Sequence, residues 1–412
     1  MRVCVIGSGG REHALAHVLG RSAEVVVTPG NPGIPGSVDT PPRSVEADLY
    51  VVGPEAPLVE GLADALRNDG RRVFGPGGAG AQLEGSKAWM KDLLAAAGVP
   101  TARYGSFREE GPAIEFLRSL PGPWVVKTDG LAAGKGVLVA STFEEAVADV
   151  RAKLSGESFG TAGRTVVIEE GLSGPELSVL AICDGKRAVP LAPAQDFKRV
   201  GDGDEGPNTG GMGAYSPVPS VGKDVMGEVM DRFVEPTIAE LRRREIDYRG
   251  VLYAGFMLTP EGPKLLEYNV RFGDPEAQVV LPRLASDLVD LLGEAASGHL
   301  HSEPSFVDDA AVTVIMASEG YPTSVRTGDV IEGIPAAEAT GATVFCAGVA
   351  ADDEGRLVTA GGRVLAVTGT GESLGKAREQ AYAAAKLIHW PGEHHRSDIA
   401  ESAVSAQNAE EA

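Results

Sequence analysis

The sequence predicts a multidomain α/β and α+β protein. A parallel α/β domain is expected over residues 1–85, a larger domain over 86–295 with a mobile lid at about 104–172, and a small α+β domain over 296–395. Length is the first observation behind this, because 412 residues exceed what one hydrophobic core usually spans. The second is the alternation of short apolar runs with helical patterns before Gly85, which gives a parallel sheet. The third is a change of texture after Gly85, where strand patterns are separated by glycine-rich loops.

In order along the chain, Arg2–Ile6 reads as a short buried strand and Gly7-Ser8-Gly9-Gly10 as a turn. Arg11–Leu19 reads as a helix with Ala14, Leu15, Val18 and Leu19 on one face. Backbone N–H groups at such a helix start attract phosphate. The dinucleotide fingerprint G-x-G-x-x-G fails, because Glu12 holds its sixth position, and this disfavours a dehydrogenase. Strands at Glu24–Val27, Asp48–Val52 and Arg72–Phe74, with a helix at about Leu58–Asn68, complete the first domain. Its loops at 28–33 and 53–57 lie where open sheets take ligands.

Ser86 caps a helix through Ala97, Pro123–Lys127 is a strand, and Asp129–Gly136 is a flexible loop before the strand Val137–Ala140. The loop is not a Walker A motif, since Gly136 follows Lys135 where Ser or Thr should bind metal. Its glycines still let amides approach phosphates, although a plain hairpin with a solvent lysine reads the same way. The strand Thr165–Glu169 leads through Glu170–Glu176 to another strand ending at Cys183.

Lys264–Asn269 is a strand that runs into Arg271. Residues two apart share a face, so Glu267, Asn269 and Arg271 project together while Leu266 and Tyr268 point the other way. Two oxygen ligands suit Mg²⁺ completed by nucleotide phosphates, and the guanidinium suits a carboxylate or phosphoryl oxygen. A sheet edge with polar residues facing water is the bland alternative. Glu169 and Glu170 read equally as strand-end solubilisers, His13 as a packing or surface residue, and Asp196 with Lys198 as a surface ion pair.

The composition, 43% hydrophobic with 23% charged residues, is that of a folded globular protein. A formal net charge of −21 argues against nucleic acid or an anionic membrane as partner. Basic residues beside glycines (Arg11, Lys87, Lys127, Lys135, Lys198, Arg199, Arg271) nevertheless suggest local pockets for a polyanion. No stretch approaches the ~18 apolar residues of a membrane helix, and the run after Arg2 is too short and glycine-broken for a signal peptide. Cys4, Cys183 and Cys346 lack the spacing of a disulfide framework or zinc site, and His299, His301, His389, His394 and His395 show no ligand spacing. A reducing, cytoplasmic location is expected. Ala310–Met316, Thr343–Val349 and Arg363–Val367 read as strands and Ser373–Ile388 as a helix, a unit that closes one side of the site. Residues 396–412 are expected to form a disordered tail.

Lys127, the glycine loop, Glu169-Glu170-x-Leu172, Glu176 and Glu267-x-Asn269 occur in the order and spacing of the ATP-grasp ligases. With Gly7–Ala14, Val52–Leu58, Pro207–Tyr215 and Arg271–Glu276, the chain resembles the phosphoribosylamine–glycine ligase family over about residues 1–395. The resemblance implies an ATP-grasp fold for the middle domain. It also implies ATP-dependent ligation of glycine to 5-phosphoribosylamine through glycyl phosphate, with Lys127 and Arg271 as catalytic charge neutralisers. By the same resemblance, Lys87, Lys127, Gly134 and Lys135 meet ATP phosphates, Glu169, Glu170 and Leu172 form the adenine hinge, and Glu176 takes the ribose. Glu267 and Asn269 would hold Mg²⁺ or Mn²⁺. Gly9, Gly10, Arg11, Glu12, Glu55, Asp196, Asn208, Gly213 and Arg271 would surround phosphoribosylamine and glycine.

Small molecules are thus the expected partners, with a monomer or weak dimer and neither nucleic acid nor membrane. Another ATP-grasp carboxylate–amine ligase or carboxylase with a different acceptor stays open, as does a non-catalytic nucleotide-binding regulator. The chain departs from the family pattern between Gly36 and Asp48, where relatives carry a further strand and helix, and at Phe197, where His is common.

Overall fold

The computed structural model describes residues 1–131, 136–156 and 164–411. Gly134 and Lys135 lie outside the described residues. The chain opens with β1 (Arg2–Gly7), α1 (Gly10–Leu19), β2 (Glu24–Pro29), β3 (Leu49–Val52), α2 (Glu55–Val59), α3 (Leu62–Asn68), β4 (Val73–Phe74) and α4 (Gly78–Gly85). The strands form a parallel sheet in the order β2-β1-β3-β4. β1 is apolar from Val3 to Ile6 because both its faces are covered there. Val3 and Val5 pack with Ala14, Leu15 and Leu19 of α1, whereas Cys4 and Ile6 pack with Leu58, Leu66 and Leu83 from the other side. The single helix expected at Leu58–Asn68 is two, because Gly61 at φ 85° turns the chain between α2 and α3. The short 36–48 segment holds only a 3₁₀ turn at Pro42–Ser44 among its named elements.

α5 (Lys87–Ala97) begins at the expected cap, with Ser86 accepting from the Trp89 N–H. The segment expected to form a lid follows: β5 (Tyr104–Phe107), α6 (Glu110–Arg118), β6 (Trp124–Thr128), β7 (Val137–Ala140), α7 (Phe143–Leu154) and β8 (Val166–Glu170). Its antiparallel sheet, ordered β5-β8-β6-β7, has its own core around Leu117, Val126, Val150 and Ile168.

The next strands are β9 (Glu176–Asp184), β10 (Ala188–Pro190), β11 (Gln195–Asp196), β12 (Arg199–Gly201), β13 (Glu205–Asn208) and β14 (Gly213–Ser216). They are followed by α8 (Lys223–Val229), α9 (Glu235–Arg243), β15 (Arg249–Thr259), β16 (Gly262–Asn269), α10 (Ala277–Val280) and α11 (Leu288–Ser297). A second antiparallel sheet runs β10-β9-β15-β16. It carries a bulge: Gly255 pairs with Glu267 and Phe256 with Leu265, so Leu266 has no partner. The bulge corrects the strict alternation expected here. Leu265 and Tyr268 share one core cluster, and Leu266 is half-exposed instead of pointing with Tyr268.

The chain ends with β17 (Ala310–Ala317), α12 (Ile334–Glu338), β18 (Thr343–Cys346), β19 (Val349–Ala351), β20 (Leu357–Thr359), β21 (Arg363–Gly371), α13 (Leu374–Ala385) and α14 (Glu401–Glu411). The last sheet is ordered β11-β14-β17-β21-β18, so two of its strands come from before residue 296. The boundary expected there is therefore not a break in the sheet: β17 is buried along its whole length and pairs with β14 on one side and β21 on the other. The expected disordered tail is also corrected. Arg396, Ile399 and Ala400 are buried, Arg378 binds the carbonyls of Ser397 and Ile399, and α14 follows. Ile399 supplies the apolar anchor that the polar, alanine-rich composition concealed.

Candidate active site

The bulge in β16 sets the site. Leu266, left out of the ladder, offers its carbonyl to Lys127 Nζ at 3.3 Å. Lys127, at the end of β6, also lies 2.9 Å from Glu169 Oε1, and the other oxygen of Glu169 lies 3.0 Å from Lys91 Nζ of α5. All three side chains are almost wholly buried. Burial works against the Lys127 ammonium, but Glu169 and Glu267 outweigh it and raise its pKa. Burial pulls Lys91 down to about 8 despite Glu169. Glu169 stays ionised because Lys127 and Lys91 overcome its desolvation and lower its pKa. Its side chain is thus occupied by lysines, a placement that the hinge reading did not anticipate.

Lys87 Nζ reaches the Gly130 carbonyl at 3.0 Å, and Asp129 accepts from Ser86 Oγ and the Ala88 N–H, which ties the start of α5 to the loop after β6. Glu267 is held below the usual carboxylate range: burial alone would raise it, but Lys127, Lys198, Lys87 and Arg271 prevail. Lys198 bridges Glu176 at 2.9 Å and Asp196 at 3.0 Å. The expected Asp196–Lys198 pair is therefore present and extends to Glu176. Glu170 lies at the end of β8, where it accepts from the Arg103 N–H, and Leu172 is partly exposed just beyond it.

Asn269 Oδ1 accepts from Arg271 at 3.3 Å, so amide and guanidinium lie together just beyond the bulge. Arg271 pairs with Glu84 at 2.9 Å and approaches Glu55 at 3.4 Å. Its Nε, sealed from solvent, is the atom that faces Glu55 Oε2 at 3.4 Å, an ion-pair contact without well-aligned hydrogen-bond geometry. Burial alone would depress this guanidinium, but Glu84 and Glu55 keep it firmly protonated. Glu55 in turn lies 3.9 Å from Arg11, whose Nε binds Glu12 at 2.5 Å. A string of charges therefore runs from β16 to the start of α1. Among the described residues no group of three or more His, Cys, Asp or Glu could hold a metal. One carboxylate and one amide fit a hard cation that takes its remaining ligands from phosphates, and they do not fit zinc.

Several expected substrate residues are spent on structure. Glu12 accepts from the Gly9 N–H at 2.7 Å, reaching back over the start of α1. A Cβ at Gly53 would stand 2.0 Å from its Oε1, so Glu12 is wedged beneath the loop. An incoming phosphate would then have to use donors other than the Gly9 N–H. A Cβ at Gly10 would meet Gln278 Nε2 at 2.8 Å, which places Gly10 against α10. Gly213 is buried in β14, where a Cβ would lie 2.7 Å from both Ile399 Cδ1 and the Thr313 carbonyl. Packing accounts for that glycine. Asn208 is exposed at the end of the β12–β13 hairpin and is not brought into the network. His13 is a packing residue as expected, accepting from the Cys346 N–H at 2.8 Å.

Sequence reading missed Lys91, Glu84 and Arg363. Arg363, on β21, binds the Gly210 carbonyl at 2.6 Å, the Asp274 carbonyl at 2.8 Å and the Asp274 carboxylate at 2.9 Å. Gln278 Nε2 holds the other oxygen of Asp274 at 2.7 Å. The loop after β16 is thereby locked to the last sheet.

Residues 1–84, 85–277 and 311–402 match the family models described as the N domain, the ATP-grasp (A) domain and the C domain of phosphoribosylglycinamide synthetase. The chain is 48% identical to the phosphoribosylamine–glycine ligase of Brucella melitensis and 47% identical to that of Escherichia coli K12. Each comparison covers 99% of this chain and 100% of the relative. The chain belongs to the phosphoribosylamine–glycine ligase family. A crystal structure of the Thermotoga maritima phosphoribosylamine–glycine ligase superposes with a TM-score of 0.87 at 36% identity, covering 97% of this chain and 100% of that one. The biotin carboxylase domain of Hydrogenobacter thermophilus 2-oxoglutarate carboxylase shares the fold at a TM-score of 0.71 and 15% identity, over 96% and 91% of the two chains. The charge string therefore crosses, in this phosphoribosylamine–glycine ligase family member, from the ATP-grasp domain into the N domain.

Proposed function

We infer that the protein is an ATP-dependent carbon–nitrogen ligase that joins glycine to 5-phosphoribosylamine, giving glycinamide ribonucleotide, ADP and phosphate in purine biosynthesis. The observation that carries this is the partly buried run Lys127, Glu267, Asn269, Arg271, Glu55 and Arg11, which would link the proposed metal ligands to the N-domain loop in a chain of this family.

Glycine's carboxylate is a poor electrophile. One of its oxygens attacks the γ-phosphorus, the bond to the β-phosphate oxygen breaks, and ADP departs. The amine of phosphoribosylamine then attacks the acyl carbon of glycyl phosphate, the C–O bond to phosphate breaks, and the nitrogen gives up a proton. No protein nucleophile is required. Lys127 and Lys87 would take the phosphates, Gly134 and Lys135 the loop over them, Glu170 and Leu172 the adenine, and Glu176 the ribose. A Mg²⁺ or Mn²⁺ ion held by Glu267 and Asn269 would neutralise charge at the phosphates. Arg271, whose guanidinium is kept protonated by Glu84 and Glu55, would steady the charge that develops at the carboxylate and phosphoryl oxygens. Arg11 and Glu55 border the end of the cleft where phosphoribosylamine would sit. The buried, free thiols Cys4, Cys183 and Cys346 suit a reducing cytoplasm, and a monomer or weak dimer is proposed.

The test is ADP release in a coupled assay with glycine and freshly generated phosphoribosylamine, each omitted in turn. Release is expected only with both. Turnover without glycine, or with bicarbonate in its place, would assign the site to another ATP-grasp reaction.

A further inference from the structure

Lys91 is buried to 0% exposure on α5. A lysine buried so fully needs partners, and Lys91 has two: Glu169 Oε2 at 3.0 Å and Thr101 Oγ1 at 2.7 Å. Thr101 donates onward to the Leu265 carbonyl at 2.6 Å, immediately before the bulge. Tyr104 completes the surroundings, its ring centroid 5.5 Å from Nζ and its hydroxyl donating to the Lys91 carbonyl. Methionine or leucine would fill the same space, so packing does not explain the charge.

The charge is explained by what lies across Glu169. That carboxylate gives one oxygen to Lys91 and the other to Lys127. Were Lys127 its only partner, moving that ammonium to a phosphate would strand a buried carboxylate, a severe penalty. With Lys91 in place the carboxylate keeps a counter-charge whichever way Lys127 turns. The arrangement also crosses a boundary: Glu169 and Lys127 stand on lid strands, Lys91 and Thr101 on the body.

We propose that Lys91 is a positioning residue for the ATP half of the reaction, which shares the Glu169 carboxylate so that Lys127 is free to pass to the nucleotide phosphates. This rests on the reading above that Lys127 meets those phosphates.

The test compares Lys91→Met, Glu169→Gln, the double variant and Lys127→Met, each checked for cooperative thermal unfolding, by KM for ATP and KM for glycine. Lys91→Met should raise KM for ATP by about ten-fold or more while KM for glycine stays within about two-fold, because only phosphate binding competes with the Glu169–Lys127 pair. Once Glu169 is neutral, Lys91 has nothing to act through, so the double variant should match Glu169→Gln within about two-fold in KM for ATP. That second comparison decides the matter even if Lys91→Met alone does not fold. An unchanged KM for ATP in Lys91→Met beside an impaired Lys127→Met overturns the role of Lys91 alone, as does a further loss in the double variant. An unimpaired Lys127→Met overturns the phosphate reading of the site and this inference with it.

Discussion

Replacing Arg363 with Met removes one side chain that ties three segments together: β21, the loop at Gly210 and the loop carrying Asp274. Opposite charges 2.9 Å apart attract by about 1.4 kcal/mol at a dielectric near 80 and about 6 kcal/mol near 20. The two side chains are 19% and 18% exposed, so the pair lies between these limits and loses part of the gain to desolvation. The Gly210 and Asp274 carbonyls also lose a charged donor, a further ~1 kcal/mol each where water cannot replace it. Arg363→Met should therefore destabilise the protein by about 3 kcal/mol, with about 2 kcal/mol as the coupling to Asp274. The assay is a double-mutant cycle with Asp274→Asn, which keeps an oxygen for Gln278, read by urea unfolding with equal m-values across the four proteins. A coupling below about 0.5 kcal/mol would place the pair with ordinary surface ion pairs and refute the clamp.

Two further outcomes are expected. Glu267→Gln and Asn269→Ala should each reduce ADP release at least about a hundred-fold at saturating metal with an unchanged circular dichroism spectrum, because the proposed cation would lose its one carboxylate charge in the first and one of its two protein oxygens in the second; activity within a few-fold of wild type would remove that residue from the site. His13 gives a pH effect: burial first, and His17 second, lower its pKa to about 4. The unfolded chain, titrating near 6.5, then binds the proton that the folded one refuses, so stability falls as pH drops from about 6.5 to 4, by up to about 3 kcal/mol. Urea unfolding over that range should show a shallower loss in His13→Gln, which retains an acceptor for the Cys346 N–H; an equal slope in both proteins would refute it.

What the sequence disclosed was whatever depends on near neighbours. The cap at Ser86 follows from one hydroxyl before an apolar periodicity, and it is present. β1 is legible because a strand covered on both faces is apolar without interruption. The bulge at Leu266 is not, since it arises from how β15 pairs with β16 and leaves no mark in Leu265-Leu266-Glu267 itself. Lys91 is the instructive miss. It stands four residues after Lys87, and such like-charged pairs weaken an isolated helix. Two lysines on one face of a helix that packs inside the protein imply carboxylates opposite, and Glu169 and Glu267 are those carboxylates. Glu84 carried no comparable signal: it ends a short helix before a glycine and looks like any exposed glutamate until Val270 and Arg271 bind it.

The same pairing explains how a chain with a net charge of −21 can take a polyanion. The site does not rely on an excess of positive charge. Lys127 and Lys91 face Glu169, Lys198 faces Glu176 and Asp196, Arg271 faces Glu84 and Glu55, and Arg363 faces Asp274. Bound phosphate therefore has to exchange with carboxylates already in place, and the exchange is cheap only where the displaced carboxylate retains a second cation. Glu169 has that second partner, and so does Glu55, which lies between Arg271 and Arg11. Among the described residues Glu84 forms an ion pair with Arg271 alone, but it retains the Val270 N–H. An acid that keeps a second cation or a backbone amide gives up its first cation to phosphate at lower cost than one left bare. The residues that are costliest to bury are in this way the ones that make the cleft selective for an anion.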